Sequence, residues 1–172
     1  MIGIRIGAIA GAILAAFFVA PKVYAEDGCG KFAWSLTAER AAFAKPQKAS
    51  VDAGATLNQI PADAFVLHLR PDHAASFTMP PERKPKAEHW FGAAVHFPAP
   101  PLPGIYQVTL SDEAWIDVVQ SRRYAHAVGN TGRSDCPGVR KSLRLELSGE
   151  SFVLQLSGVA SDTINVSLHP MR

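Results

Sequence analysis

The chain has almost no surplus of charge, with 17 Lys and Arg set against 15 Asp and Glu in 172 residues. Arg5 and Lys22, both in the first 25 residues, account for the whole difference, so the part from Glu26 onward is balanced. A domain that holds nucleic-acid phosphates needs a basic surplus, and none exists here. The one basic run, Arg83-Lys84-Pro85-Lys86, lies in a proline-rich stretch and reads as solvated loop. Cysteine is scarce, at two residues. There is no G-x-S-x-G elbow for an activated serine, and Ser134 beside Asp135 in a glycine-containing loop reads as an Asx turn. Gly129-Asn130-Thr131-Gly132-Arg133 lacks the lysine and following helix of a phosphate loop. Asp112 and Glu113 read as a turn between strands, which leaves Asp117 without a partner for glycoside chemistry.

What is present begins with a leader. Arg5 supplies a positive start, Ile6 to Ala20 is uncharged and apolar, and Val23-Tyr24-Ala25 places small residues where signal peptidase cuts. The apolar stretch is about 15 residues, short of the roughly 20 that span a bilayer. Residues 1–25 are therefore expected to be a cleaved signal peptide, and residues 26–172 one exported domain, periplasmic or secreted, with no stable membrane span. In an oxidising compartment Cys29 and Cys136 form a disulfide. Glu26-Asp27-Gly28 before Cys29 does not suit lipid modification.

Hydrophobic period decides the fold class. Trp34 to Ala44 is the one helical candidate, with Ser35 or Thr37 as cap, Lys45-Pro46 as stop, and an apolar stripe of Trp34, Ala38, Ala41 and Ala42 for docking over a sheet edge. Phe65 to Arg70 alternates as a strand. Seven prolines between Pro80 and Pro103 leave room only for a strand over Trp90 to Phe97. Strands then follow over Ile105–Leu110, Ala114–Gln120, Val139–Leu147, Phe152–Ser157 and Thr163–Leu168. In Val139–Leu147 the residues Val139, Lys141, Leu143, Leu145 and Leu147 share one face, which leaves the face of Ser142 and Arg144 wet. Ser148-Gly149-Glu150 is expected to join the next strand as a hairpin. Six or seven short strands with one short N-terminal helix describe an all-β antiparallel sandwich or jelly roll.

Pro103-Gly104-Ile105-Tyr106-Gln107-Val108-Thr109-Leu110, followed by Trp115-Ile116-Asp117-Val118, resembles the G-x-Y-x-V-x-L strand pair of secreted sandwich modules. Gly149 to Gly158 resembles a second such strand, and residues 103 to 168 together are similar to bacterial pre-peptidase C-terminal domains. That resemblance implies a module that binds or shields rather than catalyses. The chain beyond the leader also resembles small exported bacterial proteins, some of which carry the label homogentisate 1,2-dioxygenase. This second resemblance implies a cupin-like, metal-dependent dioxygenase as the alternative.

A cupin-type iron site needs two His and a carboxylate converging from neighbouring strands. No His-x-His pair occurs, and His68, His73 and Glu82 are the nearest approach in sequence. If the strands of His68 and His96 were neighbours, their imidazoles could share Fe or Zn, with Glu88 or Asp72 completing the shell. Solvent-facing or singly hydrogen-bonded histidines explain the same placement, so no cofactor is the leading expectation. The segment Arg122 to Gly138 reads as a long polar loop clipped by Cys136, and it gathers Arg122, Tyr124, His126, Asn130, Arg133 and Asp135 as a candidate binding set. Tyr106 and Trp115 read as core aromatics before sugar platforms. The expectation is a non-catalytic binding or accessory module of the cell envelope, with an envelope protein or glycan as partner. A structural subunit pairing through a sheet edge is the remaining class.

Overall fold

The computed structural model describes residues 28–171. The signal peptide expected over residues 1–25 lies outside the described residues. Among these residues the chain forms one short helix, α1 (Thr37–Phe43), and eleven strands. In chain order they are β1 (Ala49–Asp52), β2 (Phe65–His68), β3 (Arg70–Pro71), β4 (Phe91–Phe97), β5 (Gly104–Leu110), β6 (Trp115–Gln120), β7 (Arg123–Tyr124), β8 (Ala127–Gly132), β9 (Lys141–Leu147), β10 (Phe152–Val159) and β11 (Thr163–Pro170). One sheet runs β1-β2-β11-β5-β9-β8 and the other β3-β4-β10-β6-β7. All pairs are antiparallel except β1 with β2. The expected all-β sandwich is the observed architecture.

The connection over Ser148-Gly149-Glu150 corrects the hairpin reading. β9 belongs to the six-stranded sheet and β10 to the five-stranded one, so the turn arches between layers. The chain changes sheet in the same way between β4 and β5, β5 and β6, and β10 and β11. The reason lies in the alternating apolar rows. Leu145 and Leu147 face Leu154 and Leu156 across a dry interior, where both rows are buried at once. Phe97 and Phe152 stack there, with ring centroids 5.0 Å apart. Tyr106 belongs to this core as expected, and its hydroxyl donates to the Leu102 carbonyl at 3.0 Å.

The outward rows are wet only in part. On the six-stranded sheet Gln107, Thr109 and Ser142 are buried under α1 and the segment before it. The indole N–H of Trp34 donates to Ser142 Oγ at 3.3 Å, and the guanidinium of Arg144 lies 4.1 Å from the Trp34 ring centroid. The wet face expected for β9 is therefore covered at Ser142 and Arg144, because Trp34 supplies both a donor and a ring to the polar row, and stays exposed at Glu146.

The helix also presents a different face from the one expected. Ala38 and Ala41 are exposed, whereas Glu39 and Phe43 are buried. Glu39 Oε1 accepts from Gln107 Nε2 and lies 3.3 Å from His169 Nε2, so polar partners on the sheet outweigh the small apolar stripe. Leu36 occupies the cap position without a side-chain cap, and α1 covers the face of the sheet at β11 rather than an edge.

On the five-stranded sheet the outward residues Asp117, Gln155 and Ser157 are likewise buried, beneath the proline-rich segment 76–90. Thr78 N and Met79 N both donate to Gln155 Oε1, at 2.7 and 3.1 Å. Phe77 stacks on Trp90, and a Cβ at Gly92 would lie 2.9 Å from each of these rings and 2.7 Å from the Leu156 carbonyl oxygen of β10, so the close passage of this segment and of the paired strand requires glycine. Cys29 is bonded to Cys136, with Cα atoms 4.7 Å apart. The disulfide packs with Phe32, Leu36, Phe43, Ala64 and Val139 in a second, smaller core. Val139 thus belongs to that core rather than to the face of Leu143 and Leu145.

Candidate functional site

The two sides of the sandwich close differently. On one side the chain after β1 crosses to the other sheet, where Gly54 N donates to the Ala94 carbonyl and Leu57 N to the His96 carbonyl. On the opposite side β6 is paired to β7 only at Val119 and Gln120, and the flank from Trp115 to Asp117 faces a cleft toward β8 and β9.

Trp115 is the centre of that cleft. Its indole N–H donates to Asp117 Oδ1 at 2.8 Å, and Asp117 Oδ2 accepts from the Glu82 backbone N–H at 3.2 Å. Both carboxylate oxygens are thereby committed to fixing the ring and the proline-rich segment. Burial pushes the Asp117 carboxyl above the ordinary carboxylate range, the two N–H bonds pull it down, and the Glu82 charge pushes it further up.

Lys141, the first residue of β9, shares the inward row of Leu143 and Leu145 but sits at the mouth of the sandwich. Its Nζ donates to the Ala114 carbonyl at 2.7 Å, lies 5.1 Å from the Trp115 ring centroid, and is 3.8 Å from Glu113 Oε1. Burial lowers its ammonium pKa below the usual lysine range; Glu113 opposes the shift, whereas Arg83 and Arg140 reinforce it. Arg83 lies over the same ring, 5.5 Å from the centroid. The ring quadrupole thus holds two cations from separate parts of the chain.

The space around Trp115 has two lobes. One, of about 340 Å³, is lined by Arg83, Lys84, Lys86, Lys141 and Ser157; the other, of about 290 Å³, reaches between the sheets past Asp117, Tyr124, Asn130 and Leu143. The Tyr124 hydroxyl donates to the Pro80 carbonyl, and burial, then the charges of Asp117 and Glu82, raise its pKa.

The six residues expected as a binding loop are dispersed. Arg122 to Gly138 is not one long loop: it contains β7 and β8, and between them the chain crosses from one sheet to the other. Pairing with β9 makes a strand of Ala127–Gly132, which its glycines and small polar residues do not suggest locally. Tyr124 and Asn130 line the Trp115 cleft. Arg122 occupies the β6–β7 turn, and His126 lines a separate depression with Gln120 and Glu146. Arg133 grips Asp135 through two hydrogen bonds of 2.8 and 2.6 Å, which lowers the Asp135 pKa.

His68 and His96 are not brought together. His68 lies on the outer face of the six-stranded sheet, where its Nε2 meets Ser50 Oγ at 2.8 Å, and His96 lies on the outer face of the five-stranded sheet. The buried inward row of Leu67 and Val95 lies between them. Glu88 is exposed in segment 76–90, and among the described residues no three His, Cys, Asp or Glu side chains are grouped to hold a metal ion. The strands of these histidines are not neighbours, which is the condition a shared metal required.

Sequence reasoning missed the convergence of Arg83, Trp115, Asp117 and Lys141. A signal existed: Lys141 interrupts the apolar row of β9, and Asp117 interrupts the row of Trp115 and Val119 on β6. A charge in such a row marks a place where the covering layer must supply partners. Compared with protein-family models, curated proteins and solved structures, the chain matches none.

Proposed function

We propose that the chain is an exported β-sandwich, periplasmic or secreted, that acts by binding, as an accessory module of the cell envelope whose partner is an envelope glycan or protein. One observation carries this reading. Three separate segments, 82–86, 115–117 and the start of β9, converge on Trp115 and leave a cleft beside a ring fixed by Asp117. A preset aromatic with charged neighbours on a rigid sheet is the kind of arrangement that binds without reorganising. The disulfide and the expected leader support export, since such bonds persist in oxidising compartments. The resemblance of residues 103 to 168 to pre-peptidase C-terminal domains supports a binding role.

The test uses the three tryptophans. Trp34→Phe and Trp90→Phe together leave Trp115 as the sole reporter, and a thermal melt checks that the variant is folded. Soluble wall-glycan fragments and envelope extract are expected to shift Trp115 emission saturably. Protein recovered from the periplasm or medium is expected to begin at Glu26. Retention of the full chain in the cytoplasm, or unchanged emission with both preparations, would overturn the reading.

A further inference from the structure

Resting on the binding-module reading, we propose that the Trp115 cleft binds a terminal phosphate group, as borne by an envelope sugar or lipid headgroup. Arg83, Lys84, Lys86 and Lys141 line one lobe of about 340 Å³. The carboxylate lining that lobe is Glu113, and it is shared: its Oε2 lies 3.0 Å from Arg140 Nε and its Oε1 3.8 Å from Lys141 Nζ. Among the described residues none of Arg83, Lys84 and Lys86 has a carboxylate at ion-pair distance. Within this lobe four cations thus face one carboxylate that a fifth cation already holds; Glu82 and Asp117 line the adjoining lobe, where both Asp117 oxygens already accept N–H bonds.

The indole explains how this charge is kept in place. A ring quadrupole orients Arg83 and Lys141 without neutralising them, so their charge stays available to an anion. A second observation points the same way. Ser157 pairs with Trp115 across β10 and β6 and lines the same lobe, and its hydroxyl is buried with no hydrogen-bond partner. A buried hydroxyl without a partner is costly, and an acceptor oxygen arriving in the lobe is what would satisfy it.

The number of cations selects the anion. A carboxylate brings one negative charge, whereas a phosphate monoester brings about −1.5 to −2 near neutral pH and three acceptor oxygens. Its strong acceptors suit a guanidinium and an ammonium approaching from different segments. The half-buried face of Trp115 then meets the carbon skeleton that bears the phosphate.

The full chain is titrated at low ionic strength by calorimetry with glucose 1-phosphate, inorganic phosphate, glucuronate and vesicles of phosphatidylcholine with or without phosphatidic acid. Saturable binding of a phosphate probe, at least tenfold tighter than glucuronate, is expected. Arg83→Gln and Lys141→Met are each expected to weaken it at least tenfold, and Arg70→Gln, exposed on β3 and outside the cleft, to leave it unchanged. Lys141→Met also removes the bond to the Ala114 carbonyl, so Arg83→Gln, at an exposed residue, decides the matter if that variant fails to fold. Preference for glucose 1-phosphate assigns a sugar phosphate, binding only to phosphatidic acid vesicles assigns a lipid headgroup, and equal binding of inorganic phosphate assigns the free ion. Glucuronate binding as tight as any phosphate probe, an equal loss in Arg70→Gln, or no binding by any probe would overturn the proposal. Wall-glycan fragments that still shift Trp115 emission in that case would leave the binding module standing and remove only the phosphate.

Discussion

The side chain of Gln155 pairs in both directions with the backbone of Met79: Oε1 accepts the Met79 N–H at 3.1 Å and Nε2 donates to the Met79 carbonyl at 3.0 Å. A side-chain amide here does what a neighbouring strand would do. Segment 76–90, rich in prolines that cannot donate, is tied to the sheet by Gln155, by Asp117 and by the Tyr124 hydroxyl on the Pro80 carbonyl. Gln155→Ala is expected to destabilise the fold by about 1–3 kcal/mol, the cost of leaving partly buried backbone groups without partners. Urea unfolding checks the magnitude. Limited trypsin digestion checks the place, because cleavage after Arg83 and Lys86 should accelerate before global unfolding does. Unchanged digestion of those sites would show that the segment is held elsewhere.

The disulfide joins residues separated by 107 positions. The chain-entropy model assigns a closure of that length about 4–5 kcal/mol. Replacing Cys29 and Cys136 together by Ser is expected to lose most of that amount in urea unfolding, and alkylation of the oxidised protein should label neither cysteine. A loss under about 1 kcal/mol would mean that the small core of Phe32, Leu36, Phe43 and Val139 holds the N-terminal segment without the covalent bond.

Ser121 and Arg122, the two residues between β6 and β7, have φ of 48° and 61°. Two left-handed residues in a row make the turn that fits strand twist, and Asn-Gly adopts it with least strain. Ser121→Asn with Arg122→Gly is expected to stabilise the protein by about 1 kcal/mol, read as a shift of the urea midpoint. A lowered midpoint would contradict this, and would show Arg122 to be held by something other than turn geometry.

Asp117 titrates above its ordinary value of 3.8 because burial disfavours its charge. The folded chain therefore holds this proton more tightly than the unfolded chain. As pH falls through the raised value toward the ordinary one, Asp117 favours the folded state. The stability of the natural chain relative to Asp117→Asn, which does not titrate, should rise over that interval. Urea unfolding at a series of pH values measures the difference, and a relative fall on acidification would reverse the assigned cause.

Five strands from β5 onward were legible because each carries an apolar row of period two: β5, β6, β9, β10 and β11. β4 was legible because prolines bound it. β7 and β8 were not. Ala127–Gly132 has two glycines and no apolar row, and it is a strand because β9 offers it a free edge. The helix was legible in place but not in orientation, since Glu39 is drawn inward by Gln107 and His169, residues far along the chain. Of the candidate site, Tyr124 and Asn130 are legible in the sequence and line the cleft, whereas Arg83, Trp115 and Lys141 look locally like loop, core and strand face.

The alternation of apolar and polar residues along each strand was sufficient, by itself, to determine a two-layered β architecture, because burying one face of every strand leaves few other arrangements. The presence of just two cysteines behind an expected export leader was sufficient for the disulfide. Which layer each strand joins, which polar rows are covered, and which cations meet over Trp115 were decided only by the tertiary structure. These depend on contacts between segments tens of residues apart, where each polar group takes the partner that the assembled sheets bring within reach.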